Sequence, residues 1–239
     1  MGRSLPTWRD RCRDRLGNPP DEVISPGSLE DFVRAAVRAF SGDRPRTTFA
    51  NFAGDGAAFD LAIASLTGWV NVFSQVRAIE YPQGEREPVY LDEQSFILYP
   101  TDSAPTAVRL LVDTPATGKT ARVYYTVPWP IPTSDPAIDK VADTDYEPVV
   151  ALGASQAALE LAGRAAGHQR PSLPSASLVG EQTEQSRWSE LARMLAKEYR
   201  DHVGSGDAGE APAMGVIDWD ARSSWDETGH RFLFRDPRR

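Results

Sequence analysis

Nineteen prolines punctuate this 239-residue chain. A proline ring fixes φ and removes a backbone donor, so neither a helix interior nor a central strand runs through one without loss. Their positions therefore cut the chain into pieces that can be read one at a time. Pro19, Pro20 and Pro26 close a first piece and Pro45 a second. Pro128, Pro130, Pro132 and Pro136 cluster behind a long middle region, and Pro171 and Pro174 make a last break.

Residues 5–16 read as a short charged helix ended by Gly17-Asn18-Pro19-Pro20. In residues 29–40, Leu29, Phe32, Val33, Ala36, Val37 and Phe40 recur at helical spacing and share one face. Ser28 stands at the expected N-cap with Asp31 in the capping-box position, and Ser41-Gly42-Asp43 with Pro45 is the expected stop. From about 46 to 130 the pattern changes to short runs rich in Val, Ile, Thr, Tyr and Phe. These are Arg46–Phe52, Phe59–Ala64, Asn71–Glu80, Val89–Leu91, Ala107–Val112 and Ala121–Val127. Parallel strands need long crossover connections, for which there is little room, so an antiparallel β-domain is expected. Asp92–Tyr99 fits a helical turn or a strand. After the proline cluster, Pro148 suits the first turn of a helix running to about Ala166. Val149, Leu152, Leu159 and Ala166 lie along one line of it, interrupted by Gln156. Pro171 to Gly180 reads as a loop. A last helix is expected over 184–203, with Trp188, Leu191, Leu195 and Tyr199 at helical spacing and Gly204 as its C′ stop. The fold class is α+β.

A net charge of −8 makes the chain a poor candidate for gripping phosphate backbones over a broad surface. One cysteine, Cys12, excludes an intrachain disulfide framework and any multi-cysteine zinc site. Arg3, Arg9, Arg11, Arg13 and Arg15 are followed by no apolar stretch, so no signal peptide can be drawn. Apolar runs such as Val108–Val112 fall far short of the roughly 20 residues of a membrane span. Folding in a cytosol, away from membranes, is expected.

No cofactor, metal or catalytic set stands out. Asp113 to Thr120 ends like a phosphate-binding loop, but Asp113 stands in place of the first glycine and a strand follows, so a turn is expected. His168, His202 and His230 show no helical i, i+4 pairing and no companion ligands. Cys12 lies among arginines that could lower its pKa, yet lacks a histidine partner and reads as a packed thiol. Asp55, Asp60, Asp92, Glu93, Asp143 and Asp145 leave acid–base chemistry open. Asp135, Asp139, Asp143 and Asp145 together read as a solvated loop and helix approach. Trp69, Phe73, Tyr81, Tyr90, Phe96, Tyr99, Tyr124 and Tyr125 are expected as core or edge packing of the β-domain. Residues 205–239 lack periodicity but carry Trp219, Trp225, Phe232 and Phe234 among charges, including arginines. Trp and Arg are enriched in binding hot spots, so this segment reads as an arm that docks on a partner or a neighbouring copy.

Several stretches in order carry a resemblance. They are Trp8-Arg9-Asp10-Arg11-Cys12-Arg13-Asp14-Arg15-Leu16-Gly17, then Leu29–Phe40 running into Ser41-Gly42-Asp43-Arg44-Pro45-Arg46. Ile79-Glu80-Tyr81-Pro82-Gln83-Gly84, Pro88-Val89-Tyr90-Leu91 and Val123-Tyr124-Tyr125-Thr126-Val127-Pro128 follow, then the alanine-rich helix and Trp188 to Gly204. Over about residues 8–204 the chain resembles tailed-bacteriophage head–tail adaptor (head-completion or neck connector) proteins. The resemblance implies a helical bundle with an inserted antiparallel β-domain. The chain is then expected to divide into N-terminal bundle helices (1–45), β-domain (46–130) and C-terminal bundle helices (131–204), with an extended C-terminal arm (205–239) outside the resemblance. The resemblance further implies a structural virion protein without enzymatic activity, a homo-oligomeric ring, twelvefold in the family, beneath the portal protein. Such a ring extends the DNA channel and receives the tail or a further neck protein, with DNA passing without sequence-specific binding. Location would be the virion neck, and the host cytoplasm before assembly. A tail-terminator or tail-tube component, and a carboxylate-dependent hydrolase, are the alternative readings.

Overall fold

The computed structural model describes residues 2–100, 104–111, 114–167 and 175–204. Among them two helices come first, six strands follow and two helices close the order, giving the α+β class. Helix α1 (Leu5–Arg15) buries Trp8 and Cys12 completely. It ends at Gly17, whose φ of 80° is a left-handed conformation that glycine adopts without steric cost.

Helix α2 (Pro26–Asp43) begins three residues before the apolar period suggests. Ser25 is the cap: its Oγ accepts the Ser28 amide at 3.2 Å, and Pro26 follows at N1, where no amide is needed. The expected Ser28–Asp31 capping box therefore does not form, and Asp31 instead pairs with Arg34 at 2.8 Å. Ser41 to Asp43 continue the helix rather than stopping it. The Ser41 hydroxyl donates to the Val37 carbonyl at 2.8 Å, and the break falls at Arg44-Pro45. Leu29, Val33, Ala36, Val37 and Phe40 are buried, as their spacing predicts.

Helix α3 (Asp143–Gly167) also begins early, five residues before Pro148. Its first turn carries Asp143 and Asp145, which complement the positive end of the helix dipole. Pro148 lies inside and leaves the Thr144 carbonyl without its usual helical donor. The early start is held by the Ala142 carbonyl, which accepts the Asp145 and Tyr146 amides at 3.1 Å, and by Tyr146, which meets Trp8 edge-on at 4.5 Å. The buried residues are mostly small: Val149, Val150, Ala154, Ala157, Ala158 and Leu161. Leu159, on the same line as Val149 and Leu152, is 57% exposed. Because α3 packs against α1, α2 and helix α4 (Ser175–Val203), most of its circumference must admit a neighbour, and alanine permits that. A Cβ on Gly153 would lie 3.5 Å from the Phe32 carbonyl of α2, a measure of how near the two backbones come. Helix α4 starts nine residues before the expected 184, so residues 175–180 are helical and not loop. It buries Ala192, Leu195, Tyr199 and Val203 and stops at Gly204, φ 79°, as expected.

Strands β1 (Arg46–Ala53), β2 (Asp60–Ala62), β3 (Val76–Glu80), β4 (Phe96–Tyr99), β5 (Ala107–Leu110) and β6 (Thr120–Val127) form two three-stranded sheets. Their orders are β1-β6-β3 and β2-β5-β4, and every pairing is antiparallel. Leu61, Ile79, Val108, Leu110, Val123 and Tyr125 belong to the core of this domain. The segment 92–99 is both of its alternatives, a 3-10 turn at Glu93–Ser95 followed by β4. The run 71–80 is strand only from Val76, because Val72 takes a left-handed φ of 74°. Val89–Leu91 is an isolated bridge, Tyr90 to Glu80. Among the described residues no helix is long and apolar enough to cross a membrane.

Candidate assembly surfaces

The arginines of α1 are neutralised within the bundle. Arg9 lies 3.5 Å from Glu30, Arg11 2.9 Å from Glu147 and Arg13 2.5 Å from Asp21, and Arg15 pairs with Glu198. These four partners sit outside α1, and Arg9 also pairs with Asp10 within it at 2.7 Å, so the row of positive charge ties the bundle together and is not presented as a phosphate-binding stripe. Arg3 extends this. Its amide donates to Asp139 at 3.0 Å, its guanidinium lies 4.0 Å from the Tyr146 ring centroid, and it pairs with Asp143. The expected solvated acidic approach holds for Asp135 and for Asp143, which stays exposed beside Arg3, and is corrected at two positions: the Asp139 side chain is fully buried, and that of Asp145 is largely buried beside Arg44 and His202.

Bundle and β-domain meet at a polar and aromatic seam. Trp129, two residues past β6, stacks on Phe40 with centroids 5.8 Å apart. Its indole N–H donates to the Arg44 carbonyl at 2.6 Å, and its amide to the Ser41 hydroxyl at 3.0 Å. Arg44 donates to the His202 carbonyl at 2.8 Å and lies 3.6 Å from Asp145, which His202 Nε2 meets at 2.8 Å. The Tyr199 hydroxyl donates to Asp43 at 2.5 Å; burial first, then that carboxylate, push its pKa upward. His202 thus has a structural partner.

The outer faces of the two sheets are where apolar area remains open. On β1-β6-β3, Phe49 and Tyr124 pair across strands with centroids 6.1 Å apart, and Tyr90 stands 6.3 Å from Tyr124 on the other side. Phe49 is 53% and Tyr90 49% exposed. Arg122 lies over the Phe49 ring at 4.6 Å and bonds Asn51 at 3.0 Å. Buried Glu80 accepts the Tyr124 hydroxyl at 3.0 Å. Burial raises the Tyr124 pKa, against the lowering pull of its hydrogen bond with Arg122. On β2-β5-β4, Arg109 holds Asp60 through two bonds of 2.7 and 2.8 Å and covers Tyr99 at 3.6 Å. That guanidinium keeps the Asp60 carboxyl below its ordinary range. Phe59, Ile97, Tyr99 and Leu111 are exposed around it.

The sequence-level candidates divide accordingly. Trp219, Trp225, Phe232, Phe234, His168 and His230 lie outside the described residues. Trp69, Tyr81, Phe96 and Tyr125 join the β-core, whereas Tyr90 and Tyr99 are open. Cys12 is packed, and burial pushes its thiol up to about 12 in spite of the neighbouring arginines. Thr117-Gly118 forms a turn into β6. Asp55 caps its own loop through the Ala57 and Ala58 amides, both at 2.8 Å, while Asp92 and Glu93 are exposed. Among the described residues no group of three or more His, Cys, Asp or Glu could hold a metal ion. The row Phe49–Tyr124–Tyr90 was missed as a unit. Its signal is the three-residue spacing of Phe49 and Phe52, which places them on opposite faces of one strand, so a single core cannot cover both.

No protein-family profile matches the chain, and no curated protein matches it. Among solved structures it is similar to a chain in the virion of a native gene transfer agent particle, at 16% identity over 78% of this chain and 89% of that one, TM-score 0.27. It is similar to a chain in the neck of the empty particle computed with C6 symmetry, at 15% identity over 78% and 88%, TM-score 0.28. A chain in the neck of the native particle computed with C12 symmetry gives 16% identity over 67% and 80%, TM-score 0.26.

Proposed function

We propose that the protein is a head–tail adaptor: a structural virion protein that forms a ring beneath a portal, extends the DNA channel and offers the docking surface for a tail or a further neck protein. The observation that carries this reading is the insertion of the β-domain between α2 and α3, fastened to the bundle at Trp129. The resemblance over residues 8–204 implies that same interrupted architecture. In this reading the bundle wedges between its neighbours in a ring, twelvefold in the family it resembles, with Leu159 and Met194, both more than half exposed, on outer helix faces. The β-domain's open aromatic faces make the contacts between subunits and toward the tail, and Trp219, Trp225, Phe232 and Phe234 add to them from the arm. Modest contacts per copy become tight once many copies engage one symmetric portal, so the free protein is a cytoplasmic monomer until assembly.

The net charge of −8 suits a channel through which DNA slides. Arginines already paired with carboxylates leave little to hold phosphates and release counterions. The test is to add the purified protein to DNA-filled, tail-less heads that carry a portal and to image the product. A ring at the portal vertex is the expected result, and unbound protein at saturating concentration would overturn the proposal. Thermal melting with and without divalent ions tests the hydrolase alternative, which requires a metal-dependent rise that an adaptor does not.

A further inference from the structure

Past β2, residues 66–75 form a loop whose two ends are fastened to β6. The Tyr125 hydroxyl donates to the Thr67 carbonyl at 3.0 Å. At the other end the Gln75 carbonyl accepts the Thr126 amide and the Gln75 amide donates to the Thr126 hydroxyl, both at 2.9 Å. The loop is also braced from within. Buried Ser74 accepts the Val70 amide on its hydroxyl at 2.9 Å, and the Val70 carbonyl accepts the Ser74 amide at 2.8 Å. The Trp69 indole donates to Asn71 at 3.0 Å. What this frame holds out is apolar: Val70 is 45% exposed and Val72 completely. The left-handed φ of 74° at Val72 is strained for a β-branched residue, and its exposed side chain gains no burial in return. Backbone strain of this kind collects where a chain meets a ligand or partner, and a knob fixed in advance loses little entropy on docking.

The same domain holds a slot. Ala58, Phe59, Asp60, Arg109 and Leu110 line an open cleft of about 550 Å³, ample for two valine side chains. Its two charges, Asp60 and Arg109, are spent on each other, so the rest of its lining is apolar. The slot includes the first residue of β2, and the knob loop follows the last. Phe59 and Val72 are both exposed, so neither covers the other within one subunit. Two different patches that fit each other join copies head to tail, which generates rings or filaments and not closed twofold dimers. Charge agrees. Arg77, just past the knob, is exposed and without an ion pair among the described residues, and so are Asp92 and Glu93. The Ser95 carbonyl accepts the Leu111 amide at 2.8 Å, which sets that acidic turn beside the slot.

We infer that the knob of Val70 and Val72 on one copy seats in the cleft of Ala58, Phe59 and Leu110 on the next, and that this head-to-tail contact repeats around the proposed ring. The inference rests on the ring reading for its closure, yet the two fail separately. Disulfide cross-linking of the full chain tests it, with Val72→Cys and Ala58→Cys, on portal-bearing heads and in concentrated free protein. Cys12 is buried and stays silent. The doubly substituted chain should give a ladder of multimers, the two single variants mixed should stop at dimers, and each alone should stay monomeric. Val72→Gly removes the knob's side chain and relieves its backbone. Its melting temperature should therefore hold or rise, while assembly weakens about tenfold. Rings on heads without the ladder would overturn the contact and leave the ring reading standing. A ladder in free protein without rings on heads would do the reverse. If Val72→Cys alone dimerises as readily as the mixture, knob meets knob and the inference falls. Weakened attachment of Val72→Gly with no cross-link anywhere would give the knob to the portal instead, and neither ladder nor ring would remove both readings.

Discussion

The helical bundle and the β-domain solve the burial problem differently. Among the described residues the bundle core holds 23 buried residues and the β-core ten. Of the large hydrophobic side chains left exposed among the described residues, nine lie within residues 46–130 and four outside them. A helix such as α3 can be surrounded by three neighbours, whereas a three-stranded sheet facing another covers one face and leaves the second to water. Stability therefore concentrates in the bundle and unfilled apolar area in the β-domain. In the proposed reading, the bundle holds the subunit together and the open faces of the β-domain are the surfaces offered to partners.

The comparison can be broken most directly at Trp8, which is fully buried against Tyr146. Trp8→Ala should lower unfolding stability by about 3–5 kcal/mol, read by urea denaturation; a loss below about 1 kcal/mol would show that the bundle is not the stable part. Alkaline titration comes next. Burial raises Cys12 and Tyr146 to about 12 and Tyr199 upward, so the folded bundle keeps protons that the unfolded chain releases. Their contribution is complete below about pH 8.5, the unfolded thiol value, and is lost as pH rises through about 12. Melting temperatures should fall over that interval, and a flat profile to pH 11 would contradict the burial of these groups. Asp55 and Asp60 carry the opposite sign in the β-domain, with support that is lost only when acid protonates them.

At the seam, Trp129→Phe keeps the stack on Phe40 and removes the indole donor from the Arg44 carbonyl. A loss of about 1–2 kcal/mol is expected. If urea transitions followed by helix and by tyrosine signals separate in this variant but coincide in the wild type, the bond couples the two regions. Gly163→Ala should raise stability by about 0.5–1 kcal/mol, because Gly163 is helical with nothing within 4 Å of a built Cβ. Smallest of all in stability is Phe49→Ser, expected within about 0.5 kcal/mol of wild type. If ring assembly on portal-bearing heads survives that change, the open face is not the contact surface.

Legibility in the sequence followed the same division. The α2 face could be read because Leu29, Val33, Ala36, Val37 and Phe40 are large and periodic. Its start was misread because Ser25-Pro26 is at once a breaker pair and a cap with an N1 proline. Pro148 misled similarly: a proline tolerated inside a helix, once Tyr146 is anchored on Trp8, looks in sequence like a helix start. The line Val149–Leu159 holds at Val149 and Leu152 and leaves the core at Leu159, because large residues mark a core face only when the core has room for them. In α3 the room is so small that alanine marks it. The antiparallel character of the middle region was legible from run length and connection length alone. The open aromatic row was not, since Tyr90, Tyr124 and Phe49 come from three separate stretches.

What the sequence determined by itself is local: where prolines and glycines break the chain, which stretches repeat at helical spacing or are rich in strand formers, that one cysteine excludes an intrachain disulfide, and that an excess of acid makes broad phosphate gripping a poor fit. These depend on backbone sterics and charge, which act within a few residues. Tertiary structure alone decided which carboxylates are tied and which are free. Asp139 and Asp145 look like any other acid until Arg3 and His202 arrive from 136 and 57 residues away. It also decided which aromatics stay in water, because burial depends on whether a second surface is available to cover a side chain.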